Sequence, residues 1–210
     1  MPGCAIIGTA RSASWKGNFV ISKAAEPRRP GESALAIPIE GGSLPGTLLT
    51  PVSVRGSAPL VLLLAGAGTT DRNGNNYNVP GRSDSLAQFA EGLAAKGVAS
   101  FRYDKRGSGE ASALERNPAT SLTAHIPDAV LVLRALAGME GFSRIVVAGM
   151  NEGAWTGAAA IGEATRAGIS VDGLVALDAS GTPPAEELRA SFAELDAETR
   201  REAEAIVEAI

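Results

Sequence analysis

The run Ser143-Arg144-Ile145-Val146-Val147-Ala148-Gly149-Met150-Asn151-Glu152-Gly153 constrains this chain more than any other. Ile145 to Ala148 is short, wholly apolar and rich in β-branched residues, so it reads as a buried strand. A five-residue turn with glycine at both ends, Gly149 and Gly153, follows at once. Ala154 to Ile161 is small and largely apolar and reads as a buried helix. A strand that passes through so short a turn into a packed helix brings its backbone close to its neighbours, which the two glycines permit. The corner residue is Asn151. Asparagine tolerates a positive φ better than most side chains, so it can hold a strained corner.

The rest of the chain alternates in the same sense. Leu60 to Ala65 is a continuous apolar strand, followed by a loop rich in Gly, Asn and Asp over 66–82. Ser83 or Asp84 is placed to cap a helix carrying Leu86, Phe89, Ala90 and Leu93 on one face, and Gly97 is placed to end it. Val98 to Tyr103 is the next strand, and 104–117 a polar loop. Pro127 opens a helix with Val130, Leu131, Leu133 and Leu136. Leu174 to Leu177 reads as another buried strand. Such alternation predicts a parallel sheet with helices on both faces, an α/β three-layer sandwich. Ahead of it, Ala34–Ile39 and Leu44–Thr50 form an antiparallel start, with Pro38 marking an edge strand.

Three segments are expected. Residues 1–33 are weakly patterned, with a short strand at Phe19-Val20-Ile21 and a turn or linker at Pro27–Gly31. Residues 34–182 are the α/β core. Residues 183–210 are an acidic helical tail, in which Leu188, Phe192 and Leu195 form one stripe. Asp196 caps a second helix carrying Ala203, Ile206, Val207 and Ile210.

Composition excludes several classes. Net charge is −4. Asp104 interrupts Arg102, Lys105 and Arg106, which read as a solvated loop, so no nucleic acid is expected as a partner. The single cysteine, Cys4, excludes an intramolecular disulfide and a cysteine metal cluster and fits a cytoplasmic location. The first residues lack the basic start and long apolar core of a signal peptide. No run approaches the about eighteen apolar residues of a membrane span, so no membrane is expected. No metal is expected. Gly66-Ala67-Gly68 opens a G-x-G-x-x-G, but Asp71 stands where the third glycine belongs, so no nucleotide cofactor is expected either.

Three loops in succession carry a resemblance. They are Leu63-Leu64-Ala65-Gly66-Ala67-Gly68-Thr69-Thr70-Asp71-Arg72-Asn73-Gly74-Asn75, then Arg102-Tyr103-Asp104-Lys105-Arg106-Gly107-Ser108-Gly109, then Gly149-Met150-Asn151-Glu152-Gly153. In order, spacing and strand context they resemble bacterial α/β-hydrolases, in the serine aminopeptidase S33-like and carboxylesterase-like branch. The resemblance covers roughly residues 34–210. It implies acyl hydrolysis through a serine on a nucleophile elbow, G-x-S-x-G. Carried over residue by residue, Gly149 and Gly153 are the elbow glycines and Asn151 stands at the nucleophile position. The backbone N–H groups of Ala67 and Glu152 are the oxyanion donors. The second loop shapes the carboxyl edge of the sheet without a catalytic role.

This chain departs from the pattern where the chemistry lies. A carboxamide has no readily lost proton and is a poor nucleophile. Met150 stands where the branch often has histidine. The family order is nucleophile, acid, histidine, yet the only histidine, His125, precedes the elbow and reads as a surface or helix-start residue. Asp178, at a strand end, is the most suggestive late acid. Two further strands, with the acid and the histidine, are expected in the family after this point and are not found. Three readings stay open. The chain is a pseudoenzyme or a truncated product; or it hydrolyses a small-molecule ester or amide with non-standard residues; or it is a binding or assembly module. In the last, a homodimer or the tail helices cover the edge left at Leu174–Leu177.

Overall fold

In the strand Ala58–Leu64, Leu60, Leu62 and Leu64 point to one face, and Val61 and Leu63 to the other. All five are buried. A strand buried on both faces has to lie inside a sheet with a layer on each side, and the rest of the fold supplies those layers. The structure is a computed structural model that describes residues 5–11, 16–22, 29–76, 78–114, 125–182, 186, 189–190 and 192–208. Cys4, Pro27, Leu188 and Ile210, named above, lie outside the described residues, as do the side chains of Ile206 and Val207.

The chain divides into two compact units, residues 1–30 and 31–210. The first holds an antiparallel hairpin of β1 (Ala5–Arg11) and β2 (Lys16–Ser22), which includes Phe19-Val20-Ile21. The second begins with β3 (Glu32–Ile39) and β4 (Gly42–Leu49), also antiparallel. It continues with β5 (Ala58–Leu64), α1 (Ser85–Ala95), β6 (Ala99–Tyr103), α2 (Ile126–Ala137), β7 (Phe142–Met150), α3 (Glu152–Arg166) and β8 (Gly173–Leu177). A short 3₁₀ turn at Phe192–Glu194 and α4 (Ala197–Glu208) follow. The six-stranded sheet has the order β3-β4-β6-β5-β7-β8. The pairs from β6 to β8 are parallel, and β4 joins β6 antiparallel. As Pro38 implies, β3 is an edge strand, where a missing N–H donor does no harm.

Helices α2 and α3 cover one face. Val132, Leu133 and Leu136 of α2 and Ala160 and Ala164 of α3 pack with Leu60, Leu62, Phe101 and Val147. Helix α1 covers the other, with Leu86 and Ala90 against Val61, Leu63 and Leu49. This is the expected α/β three-layer sandwich. No helix among the described residues is long and apolar enough to cross a membrane.

Four local expectations need correction. Phe89 is 37% exposed, because it falls beside the Leu86–Ala90 stripe rather than on it. Ser83 Oγ accepts the first N–H of α1, that of Ser85, at a long 3.4 Å, and Asp84 does not cap the helix with its side chain. Asp84 sits at the cap position with φ 46° and makes no side-chain cap bond. Its carboxylate is engaged by Asn75 Nδ2 at 2.8 Å and Arg82 at 3.0 Å. The carbonyl of Asn73 accepts from Leu86 N instead, at 3.0 Å. The basic run is not a solvated loop. Arg102 and Lys105 are buried, and only Arg106 reaches solvent appreciably. Each finds a fixed partner: Arg102 with Glu32 at 2.8 Å, Arg106 bidentate with Asp128 at 2.7 and 3.0 Å, and Lys105 as described below. Lastly, β8 is not buried. It has β7 as its one strand neighbour among the described residues, and Leu174 and Val175 are 40% and 43% exposed. An apolar run signals a strand but not how many layers cover it.

Other ends form as the residues dictate. Gly97, at φ 78°, donates to Ala94 O while Val98 N donates to Leu93 O, a Schellman end for α1. Asp196 Oδ1 accepts from Glu198 N and Thr199 N, each at 3.0 Å, and so caps α4.

The corner after β7 leaves no room for side chains. A Cβ on Gly149 would strike the Gly153 carbonyl, and one on Gly153 would lie 2.5 Å from Leu64 O and 2.7 Å from Ala65 O. Gly153→Ala is therefore expected to lose about 1–3 kcal/mol of stability by overpacking. Gly162→Ala, in the same helix with open space around its Cβ, is expected to gain up to about 1 kcal/mol from helix propensity. Urea unfolding of the two variants reads both signs, and equal effects would contradict the close approach.

Candidate functional site

The sheet reverses direction of growth at β5. The chain leaves β5 for β6 on one side and returns to β7 on the other. In open α/β sheets such a switch point leaves a crevice at the carboxyl ends of the strands. Two loops meet there, the segment after Leu64 and the corner after Met150.

Asn151 occupies that corner with φ 49° and ψ −119°. Backbone of this kind costs about 1–3 kcal/mol and persists only where the surroundings over-determine it. They do so here: Asn151 N donates to Leu177 O at 2.8 Å, and Asn151 O accepts from Ala154 N at 2.9 Å. The side chain is exposed, and its Oδ1 accepts the Glu152 N–H at 2.7 Å. Asparagine thus caps α3 with its own carboxamide and occupies the N–H that the family resemblance implies for an oxyanion.

The loop after β5 passes close to this corner. A Cβ placed on Gly66 would lie 3.5 Å from Met150 O and 3.8 Å from Asn151 Cβ. Ala67 follows and is exposed, with its carbonyl held by Thr70 Oγ1 at 2.6 Å. Asp71 and Asn75 close the far side of the loop: Asp71 Oδ1 accepts from Asn73 N and Asn75 N at 2.9 Å each. Asn73 and Asn75 therefore act as turn residues, as their types suggest.

The loop after β6 is a buried tie. Asp104 accepts from Arg72 N and Glu110 N, each at 2.8 Å. A Cβ on Gly109, whose φ is 49°, would collide with the Asp104 carboxylate, which explains the second glycine of D-x-R-G-x-G. Burial raises the Asp104 pKa, and the Arg72 charge opposes the rise.

Beneath the corner lies a narrow cleft lined by Leu64, Tyr103, Lys105, His125, Glu152 and Thr156, among others. Its internal room is about 10 Å³, about enough for one water molecule. The Lys105 ammonium donates to the carbonyl of Gly66 and lies 3.5 Å from Glu152 Oε1. Burial holds the Lys105 pKa below the usual lysine range, and the Glu152 carboxylate partly offsets this. His125 stands at the N-cap of α2, half-buried, with its Nδ1 buried and, among the described residues, without a hydrogen-bond partner. Burial depresses its pKa and the Lys105 charge adds to the effect, while Glu152 and Asp128 oppose it. Burial pushes the Tyr103 phenol far above its usual range, so it stays protonated.

The structure thus gathers Asn151, Glu152, Gly149, Gly153 and the Gly66-Ala67 loop at one place. Asp178, the suggested late acid, lies exposed at the end of β8 with φ 49°. His125 starts a helix as expected, but it faces the cleft rather than the surface. Chain order alone set it aside. Lys105 was missed as a member of a charge run. Its signal is its place two residues beyond the last residue of a buried strand, at the carboxyl edge where site residues collect. Among the described residues no group of three or more His, Cys, Asp or Glu is placed to hold a metal ion.

No protein-family model matches the chain, and no curated protein matches it significantly. Solved structures do. Est1E from Butyrivibrio proteoclasticus, in a complex with ferulic acid, superposes with a TM-score of 0.57 and 21% identity, over 75% of this chain and 57% of that one. Brefeldin A esterase, a bacterial homologue of human hormone-sensitive lipase, superposes with a TM-score of 0.54 and 20% identity, over 89% of this chain and 49% of that one. Dienelactone hydrolase from Anabaena variabilis gives 0.53 and 17%, over 70% and 63%. The chain therefore has the fold of the α/β-hydrolases, and it spans about half to three fifths of the length of these proteins.

The chain has one histidine, so its imidazole gives a single set of signals. His125 is expected to titrate below the usual 6.5. Lys105→Met is expected to raise that midpoint, and Glu152→Gln to lower it. A depressed native value means that the unfolded chain binds more protons, so His125 removes stability as pH falls below about 6.5. Proton NMR of the imidazole, with urea midpoints across the same range, checks both statements.

Proposed function

We propose that this chain is a catalytically impaired relative of serine carboxylic-ester and peptide hydrolases of the S33-like kind. It keeps the frame of an acyl-transfer site without the acyl-enzyme step. One observation carries the reading: Asn151 takes the nucleophile's strained corner and places Oδ1 on the Glu152 N–H at 2.7 Å. The carboxamide offers no proton-shedding oxygen. It also competes for a donor whose loss alone lowers kcat by about 10²–10³-fold in enzymes of this type. What an oxyanion site retains without its triad is about 10³–10⁴ over water.

The ligand class that suits this frame is a small ester or amide whose carbonyl oxygen lies between the N–H groups of Ala67 and Glu152. Such a ligand would lie over the corner, above a cleft whose internal room is about that of one water. The buried Lys105, with the partly buried Glu152 and His125 beside it, favours a second reading, an active hydrolase with non-standard residues. Here a group in the cleft would take the proton that histidine takes elsewhere in the family.

Hydrolysis of p-nitrophenyl butyrate by the unmodified chain, Asn151→Ser and Asn151→Ala separates the two. Near-background rates in the unmodified chain and Asn151→Ala are expected. Gain in Asn151→Ser alone would show that a base and an oxyanion site remain. Multiple turnover by the unmodified chain, abolished in Asn151→Ala, would overturn the impaired reading. Association through the exposed β8 edge or the tail belongs to the same proposal. Light scattering reads it, and a monomer at high concentration would remove it.

A further inference from the structure

Lys105 makes a contact that the reading above does not use. Its ammonium donates to the Gly66 carbonyl and lies 3.5 Å from Glu152 Oε1. One cation therefore touches both the loop after β5 and the first turn of α3. The oxyanion donors proposed above, the N–H groups of Ala67 and Glu152, belong to these two segments, and the inference rests on that assignment.

Peptide geometry links the contact to the donor. The Gly66 C=O and the Ala67 N–H are parts of one peptide unit. That unit is planar and trans, so its C=O and N–H point in opposite directions. A group that holds the carbonyl on the cleft side aims the N–H away from it. A Cβ built on Gly66 would lie in ordinary contact with Met150 O and Asn151 Cβ, so this residue borders the corner. A charged donor on the carbonyl also polarises the unit and strengthens its N–H.

We propose that Lys105 is a positioning residue, whose ammonium sets the direction and donor strength of the Ala67 N–H and ties it to the start of α3 through Glu152. A purely space-filling role does not call for a charge here. The Lys105 side chain is 9% exposed, and a buried ammonium is expensive unless it is paired. A methionine would fill the same volume.

The charge of Lys105 is faced by Glu152 from α3, His125 from the start of α2 and Tyr103 from β6, and the Arg106–Asp128 pair acts on His125. His125 titrates on the acid side and Tyr103 stays protonated, so the alkaline window belongs to Lys105. As pH rises there, the ammonium loses its charge and the hold on Gly66 weakens.

A carbon-detected carbonyl–nitrogen correlation of the labelled full chain reads this directly. The Gly66 C′–Ala67 N peak reports the peptide and does not suffer from amide exchange. In the unmodified chain it is expected to move with the same midpoint as the Lys105 Cε signal, below the usual 10.5. Glu152→Gln is expected to lower that midpoint further, because a partner that favours the charged form is gone. Lys105→Met is expected to abolish the movement, and Lys105→Arg to hold the peak near its low-pH position throughout. If the Gly66–Ala67 peak in the unmodified chain does not follow Lys105 Cε, the inference is overturned. That comparison needs no variant to fold. Ester turnover is read separately: the titrating peak decides the positioning role whether or not Asn151→Ser is active, so failure of the proposed function and failure of this inference are told apart.

Discussion

The close approach of α3 to the end of β5 is the constraint on which the site depends. Gly153 sits against the carbonyls of Leu64 and Ala65, and Gly149 sits against the carbonyl of Gly153. Any side chain at either place would push the helix start away from the strand. The contact leaves the backbone one way through the corner, and Asn151 takes it at φ 49°. The strain is held by the sheet on one side, through Leu177 O, and by the first helical turn on the other, through Ala154 N. A packing requirement is thereby converted into a backbone geometry, with the side chain at position 151 presented outward.

Charge is handled differently on the two sides of this corner. Arg102 with Glu32, and Arg106 with Asp128, are short ion pairs that anchor β6 and its loop to β3 and α2. Removing one partner of such a buried pair leaves a bare charge, which is more damaging than the pair is stabilising. Lys105 differs. Its nearest carboxylate oxygen is at 3.5 Å and its hydrogen bond goes to a backbone carbonyl. Burial of a lysine with so little compensation depresses its pKa, and the half-buried His125 beside it is depressed in the same direction. Buried groups with shifted pKa values, gathered at the carboxyl edge of an α/β sheet, are what a working site collects, although ion-pair networks can do the same.

Fold does not imply function, because function lives in particular groups set on a fold. The strained corner, the loop after β5 and the sheet order belong to the fold shared with the superposed esterases. Asn151 holds the corner, and its side chain bonds to the adjacent N–H. The same side chain that makes asparagine acceptable at a positive φ, short and able to bond locally, is the one that fills the donor.

The residues alone determined the corner, because a β-branched run, two glycines four positions apart and a small-residue helix allow few other connections. They also determined the alternation of strands and helices, the edge position of β3 through Pro38, the Gly97 end of α1 and the Asp196 cap of α4. Each of these is local, set within one turn or one strand by sterics or by a single hydrogen bond. The tertiary structure decided what depends on distant partners. It buried Lys105 and Arg102, which a charge run in isolation places in water, because Gly66 and Glu32 arrive from elsewhere in the chain. It handed the capping of α1 to Asn73, left β8 open on one side, and turned His125 into the cleft although its place in the sequence had set it aside. No local pattern carries that information, since it resides in which strands become neighbours and which loops meet at their ends.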